Sequence, residues 1–180
     1  GGDVLKVNQV NNLVSKFSVY NTYGPTESTV CATYYKVKGN EGIMPIGSPI
    51  SNRKIRIANG KQLLSKGAIG EILIAGKGLA KEYINLPETT KESFVEIEGE
   101  RGDRTGDLGR WDNEGNLFFL GRKDYQISYR GYRIEPEEVE IAIQNLLPAA
   151  ASVLVRLKMI QTQPALVAYI ERGLQSGFNL

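Results

Sequence analysis

From Ser48 onward the chain breaks into short apolar runs separated by turn signals spaced too closely for long helices. Residues 54–58 alternate between apolar and basic side chains and end at Asn59-Gly60, a strong signal for a tight reversal. Residues 71–75 form a second apolar run that stops at Gly76-Lys77-Gly78, and residues 117–120 form a third after Asn113-Glu114-Gly115. With 20 glycines in 180 residues, backbone turns and close approaches are well supplied. This stretch therefore predicts a compact β-rich subdomain, interrupted by one short helix that Leu86-Pro87-Glu88 opens and that runs to Phe94.

The flanking segments read differently. Asp3 is placed to cap a helix whose apolar positions Val4, Val7, Val10, Val14 and Phe17 share one face. Residues 17–20 then read as a buried strand that leads into a polar glycine loop. Helix, strand and glycine loop in that order is the grammar of an α/β layer, where ligands sit beyond the carboxyl ends of strands. Beyond residues 121–124, a candidate domain boundary, residues 126–129 and 132–134 flank Arg130-Gly131 as a hairpin. Pro136 opens a helix with Glu137, Glu138 and Glu140 in its first turns and Val139, Ala142, Ile143 and Leu146 as its buried stripe. Two further strands are expected over 152–156 and 165–170.

Composition removes several chemistries. The chain has no histidine, which excludes an imidazole base or ligand, and one cysteine, which excludes an internal disulfide and a thiolate-clustered metal. Lys+Arg 22 against Asp+Glu 20 leaves +2, so no nucleic-acid footprint is expected. No run approaches the roughly 18–20 apolar residues of a membrane span, and no secretory signal is visible, so neither membrane nor export is expected and a cytoplasmic location is. The start at Gly1-Gly2 rather than Met, and an end without a clear stop, suggest an excised or processed segment.

Four segments combine backbone freedom with chemistry. In Tyr23-Gly24-Pro25-Thr26-Glu27, Gly24 admits a ligand to the main chain, and Thr26 offers a hydroxyl. Glu27 adds a hard oxygen suited to Mg2+, and Tyr23 a flat apolar face. A nucleotide would use that set, and a turn with a half-buried tyrosine and a solvated glutamate has the same spacing. In Arg104-Thr105-Gly106-Asp107-Leu108 a carboxylate after glycine suits a vicinal diol, as in acidic residues that hold ribose, or is a simple turn. Arg122 in Gly121-Arg122-Lys123-Asp124 reaches a ribose or phosphate oxygen, or belongs to a solvated linker. Gly76-Lys77-Gly78 reads as a structural turn, because Lys81 stands where a dinucleotide fingerprint needs its third glycine. No G-x-x-x-x-G-K-[ST] loop is present.

In order, these segments resemble the adenylate-forming enzymes, and most closely the amino-acid adenylation domains of nonribosomal peptide synthetases. Residues 21–27 fit N-x-Y-G-P-T-E, residues 70–80 resemble G-E-[LI]-x-[IV]-x-G-x-G-[LV]-A, and Thr105-Gly106-Asp107-Leu108 fits T-G-D-L. Residues 121–126 and 130–136 resemble G-R-x-D-x-Q followed by R-G-x-R-I-E-P. Each is modest alone; four in the right order are specific.

The resemblance implies an α/β fold class: the C-terminal portion of the adenylate-forming fold. That portion would be a partial α/β layer plus a small β-rich subdomain, followed by an incomplete α+β C-terminal domain. Residues 1–122 would be the end of the large ATP- and substrate-binding core, and residues 123–180 part of a small mobile domain. It implies ATP and Mg2+ as cofactors, an amino acid as substrate, and a phosphopantetheine-bearing peptidyl carrier protein with neighbouring synthetase domains as partners. Tyr23 would stack on adenine and Asn21 would bond its edge, with Gly24 in the same loop. Thr26 would meet the α-phosphate and Glu27 would hold Mg2+. Asp107 would accept the ribose hydroxyls, with Arg122 alongside. Asp124 would be the hinge, and Arg130 and Gly131 would face the carrier arm. Gly1, Thr22, Val30 and Cys31 would line an uncharged side of the amino-acid pocket.

Two positions depart from the family pattern: Asp103 replaces an aromatic before R-T-G-D-L, and Glu82 a glycine before Tyr83, both expected to affect packing. The resemblance places the phosphate loop and the amine-binding Asp upstream of Gly1, and the late lysine of adenylation beyond Leu180. The isolated chain is therefore expected to be inactive. An acyl- or aryl-CoA ligase of the same superfamily, or a non-catalytic carrier-docking relative, are the alternatives.

Overall fold

The computed structural model describes residues 4–129, 132–148 and 150–172, with the side chains of Ala151 and Arg172 not described. The chain divides into two compact units, with the division between Asp124 and Tyr125.

The first unit opens differently from its apolar spacing. A 3-10 turn covers Val7–Gln9 and further turns follow, with no regular α-helix among the described residues 4–19. Phe17 is 65% exposed, and the strand lies three residues later than expected, at Tyr20–Tyr23 (β1). Asn8, Asn11 and Asn12 interrupt the apolar spacing with side chains that compete for backbone groups. Val10 alone of the expected stripe is fully buried, and it packs with Val37 and Met44 rather than with a helix face. Asp3, the expected cap, lies outside the described residues.

β1 pairs antiparallel with Thr33–Lys36 (β2), which pairs with Ser48–Pro49 (β3). The larger sheet contains Arg53–Asn59 (β4), Gln62–Leu63 (β5) and Gly70–Gly76 (β6). After a short helix, Pro87–Ser93 (α1), it adds Phe94–Ile97 (β7), Glu100–Trp111 (β8) and Leu117–Arg122 (β9). The order is β5-β4-β6-β8-β7, with β9 on β8, and every pairing is antiparallel. The three expected strands and the Pro87 helix are all present. Asn59-Gly60 makes the β4–β5 reversal, with Gly60 at φ 60°.

β6 sits in the middle of this sheet and is buried on both faces, although an antiparallel sheet can leave one face to water. Ile72 and Ile74 join Ile55, Ile57, Ala32, Ile46 and Leu117 on one side, while Leu73 meets Ala58 and Ile97 on the other. Full burial of such an isoleucine stabilises by about 1.5–3 kcal/mol. Backbone bonds from Ile46 and Gly47 to Leu117 fasten the smaller sheet to the larger one. That junction sets the sheet of β1 against the sheet of β8 and β9.

The second unit comprises the hairpin Ile127–Tyr129 (β10) and Tyr132–Ile134 (β11), the helix Pro136–Leu146 (α2), and the hairpin Ala150–Ile160 (β12) with Gln163–Arg172 (β13). Its stripe is narrower than the spacing implies. Val139 and Ile143 are half-buried, but Ala142 is exposed and Leu146 is 80% exposed. Polar contacts complete the helix face: Glu140 accepts from the Val155 amide at 2.7 Å, and Gln144 donates to the Ala150 carbonyl at 2.6 Å. No helix among the described residues is long and apolar enough to cross a membrane.

Candidate nucleotide site

The two sequence segments with the strongest ligand chemistry meet in space. Tyr23, the last residue of β1, packs against the core and lies 6.3 Å, centroid to centroid, from Phe119. Its hydroxyl donates to Oδ2 of Asp107, 84 residues later, at 2.6 Å. Asp107 is 6% exposed and lies mid-strand in β8, so Thr-Gly-Asp is not a free turn but part of a strand. Arg122, opposite it on β9, donates from Nη1 to Oδ1 of Asp107 at 2.9 Å. The other edge of the same guanidinium forms a two-point fork on Asp124, from Nε to Oδ1 at 2.7 Å and from Nη2 to Oδ2 at 2.5 Å. Asp124 thus ends the first unit as a ligand of Arg122.

Charge follows this geometry. Desolvation pushes the Asp107 carboxyl above its ordinary range, and the Tyr23 hydroxyl and Arg122 offset only part of it. Burial, reinforced by the Asp107 charge, raises the Tyr23 phenol well above its usual value, so Tyr23 remains a donor. Desolvation opposes the charge on Arg122, but the two carboxylates outweigh it and hold the guanidinium more firmly protonated. Glu71 on β6 forms a second polar cluster beside this one, with Arg104 at 2.7 Å and Lys123 at 3.4 Å.

The loop after β1 is shaped by glycine and by short-range bonds. A Cβ at Gly24 would lie 2.7 Å from the Ala32 amide nitrogen and 2.9 Å from the Val30 carbonyl, so the chain returns on itself there. Thr26 begins a 3-10 turn, Thr26–Ser28, in which Glu27 is buried and Thr26 is exposed. Oε1 of Glu27 accepts from the Tyr83 hydroxyl at 2.5 Å. Glu27 and Thr26 are hard oxygen donors, the type Mg2+ takes, and Mg2+ usually combines one or two carboxylates with substrate phosphates. Among the described residues no group of three His, Cys, Asp or Glu side chains is arranged to hold a metal by itself. Thr26 and Glu27 are donors of the kind such a metal takes beside phosphate oxygens.

Other expected positions are spread along the same region. Asn21 on β1 donates from its amide to the Pro45 carbonyl at 2.7 Å, and Thr22 is exposed beside it. Val30 is exposed, and Cys31 is half-buried with its thiol on the Thr33 carbonyl at 3.4 Å. Gly1, Arg130 and Gly131 lie outside the described residues. Tyr83, Glu71 and Arg104 carry interactions that no local pattern announced, because each reaches its partner across 33 or more residues.

The family model described as AMP-binding enzyme matches residues 1–84. Bacitracin synthase 2 of Bacillus licheniformis is 51% identical over 146 residues, 78% of this chain and 6% of that protein. Over residues 1–84 the chain is similar to the AMP-binding enzymes. Among these, the fit is to the C-terminal part of an adenylation domain of a nonribosomal peptide synthetase. The Vibrio cholerae adenylation domain AlmE, solved with glycyl-adenosine-5'-phosphate, superposes with a TM-score of 0.83 at 31% identity over 94% of this chain and 34% of its own. Holo-PA1221, a synthetase protein containing adenylation and PCP domains, gives 0.84 at 30% identity over 97% of this chain and 32% of its own. The chain thus spans about a third of those solved proteins and a small fraction of the curated synthetase.

Proposed function

We propose that this chain is the part of an amino-acid adenylation domain that grips the adenosine and metal ends of ATP. The reading rests above all on Tyr23 and Asp107, which lie 2.6 Å apart although 84 positions separate them. An aromatic face and a buried carboxylate at one place are what a base and a ribose diol require. Tyr23 stacks on adenine, Asn21 meets its edge, Asp107 accepts the ribose hydroxyls, and Arg122 holds Asp107 and reaches the same sugar. Thr26 meets the α-phosphate and Glu27 takes Mg2+, which neutralises phosphate charge when bound.

In the reaction a substrate carboxylate oxygen bonds to the α-phosphorus of ATP as the bond to pyrophosphate breaks, giving an aminoacyl adenylate. The thiol of a carrier's phosphopantetheine arm, losing its proton, then bonds to the acyl carbon and AMP leaves. The protein's work is positioning and charge stabilisation, which a chain without histidine can supply. Two steps need two arrangements of groups, so the small C-terminal domain turns about Asp124 between them. Thr22, Val30 and Cys31 line the amino-acid pocket on this side. The setting is a cytoplasmic synthetase with neighbouring domains.

The test is Asp107→Ala in the complete adenylation domain, read by ATP–pyrophosphate exchange and by AMP binding. Each charge-assisted bond lost costs roughly 1.5–3 kcal/mol, so AMP affinity falls by at least tenfold. Unchanged AMP affinity would sink the adenosine reading. The 180-residue chain alone is expected to give no exchange.

A further inference from the structure

The Gly76-Lys77-Gly78 segment, which reads as a plain turn, continues into a strap across the acidic loop. The Ala80 amide donates to the Glu27 carbonyl at 2.7 Å, and Thr29 Oγ1 donates to the Gly78 carbonyl at 2.5 Å. Arg53 crosses beneath, donating from Nη2 both to the Ser28 carbonyl and to the Gly78 carbonyl. The strapped loop is itself strained: Thr29 and Val30, both β-branched, stand at φ 58° and 69°, in the left-handed region such residues avoid. A loop of that conformation persists only when its surroundings hold it.

At the far end of the strap Tyr83 meets the Glu27 side chain. Its hydroxyl donates to Oε1 at 2.5 Å, and its ring lies 5.8 Å from that of Phe94, the first residue of β7. Its backbone amide donates to Thr90 Oγ1 on α1 at 2.9 Å, and Thr90 in turn donates to the Leu86 carbonyl at 2.8 Å. Arg101 of β8 stacks over Phe94 at 3.9 Å and donates to the Ala80 and Lys81 carbonyls. Tyr83 is thereby fixed by helix and sheet before it touches the carboxylate.

We propose that Tyr83 is a positioning residue for Glu27, holding the carboxylate plane in the rotamer that takes the divalent cation of a metal–nucleotide complex. The inference rests on the reading of Glu27 as the magnesium ligand. A metal shared between one carboxylate and phosphate oxygens tolerates little rotation of that carboxylate. A neutral phenol donor restrains rotation and leaves the net charge on Glu27 in place.

The probe is Mn2+, titrated into the complete adenylation domain with a non-hydrolysable ATP analogue and followed by electron paramagnetic resonance of the free ion. Tyr83→Phe keeps the ring and removes the donor, and is expected to weaken Mn2+ about tenfold or more. Its affinity for the analogue without metal stays as in the native domain. Glu27→Gln weakens Mn2+ further, and the double variant is no worse than Glu27→Gln, because the two residues act as one unit. If Glu27→Gln weakens Mn2+ and Tyr83→Phe does not, the positioning role is overturned and the metal reading stands. If neither changes Mn2+ binding, the metal reading fails and carries the inference with it. Should Tyr83→Phe not fold, Thr90→Val loosens the same tyrosine through its backbone. That variant weakens Mn2+ if the proposal holds, and native affinity there overturns it.

Discussion

The Tyr23 hydroxyl and Arg122 Nη1 occupy opposite oxygens of Asp107, at 2.6 and 2.9 Å, so the ribose diol proposed to bind there would meet a carboxylate that is already engaged on both sides. On the proposed reading Tyr23 has two separable parts, a face for the base and a hydroxyl that would compete with the sugar. Tyr23→Phe keeps the face and removes the competitor. The ligand-free complete domain is expected to lose about 1–3 kcal/mol, because the buried Oδ2 loses its donor. AMP is expected to stabilise the variant more than it stabilises the native domain, since the diol then supplies the missing donors. Denaturant unfolding with and without AMP reads both quantities. A smaller AMP effect in the variant would contradict the competition.

Gly106 stands at φ 72°, and a Cβ there would lie 2.7 Å from both Arg122 Nη2 and Asp124 Oδ2. The glycine of T-G-D-L is therefore the floor on which the Arg122–Asp124 fork lies. Gly106→Ala is expected to destabilise by more than the roughly 0.4–1 kcal/mol that the same change gains at compatible sites, because the backbone is left-handed and the fork must shift. AMP affinity falls with it, since the displaced guanidinium also binds Asp107. Unfolding and AMP titration of the same sample decide whether the two losses travel together.

Glu71 provides a pH test with a definite sign. Desolvation pushes its carboxyl up, but Arg104, Lys123 and the Gly106 amide outweigh that and hold it below the ordinary carboxylate range. A depressed folded pKa gives stability that is present above the unfolded value and lost as pH falls through the folded one. Asp107, raised by burial, contributes in the opposite sense, losing stability as pH rises from its unfolded value through its folded one. Glu71→Gln is expected to be less stable than the native domain at neutral pH, by about 1–3 kcal/mol, with a flatter loss of stability below about pH 4.5. Urea midpoints measured from pH 3 to 7 follow the difference. A parallel acid limb in both proteins would remove Glu71 from the account.

Asp124 combines a ligand role with the proposed hinge, and two substitutions separate them. Asp124→Ala and Asp124→Pro both remove the carboxylate that holds Arg122, but only proline fixes φ and restricts Lys123 before it. Both are expected to lower pyrophosphate exchange to a similar degree. Thioester loading of a carrier protein falls at least tenfold further in the proline variant alone. Equal ratios of the two activities in both variants would reject the hinge.

The strands over 53–59, 70–76 and 117–122 were legible because short apolar runs and glycine turns are local, whereas their burial is set by the sheet, with β6 buried along almost its whole length. The same local logic failed at the start of the chain. There, apolar spacing implied a helix, and Asn8, Asn11 and Asn12 with the Val10, Val37 and Met44 cluster settled on turns instead. The helix α2 was visible from Pro136, but Leu146 stayed exposed, since a stripe is buried only where a partner covers it.

Residue types and motif order by themselves determined the chemistry available: acceptors, an aromatic face, a hard-oxygen donor, and neither imidazole nor a disulfide. Which of those groups touch was decided only by the tertiary structure. The antiparallel pairing of β8 with β9 sets Arg122 against Asp107, and the Gly47–Leu117 junction joins the sheet that bears Tyr23 to the one that bears Asp107. The strap likewise sets Tyr83 on Glu27 across 56 residues. Sequence spacing records neighbours along one strand or helix, whereas a binding site is made by chain segments whose proximity depends on a shared core.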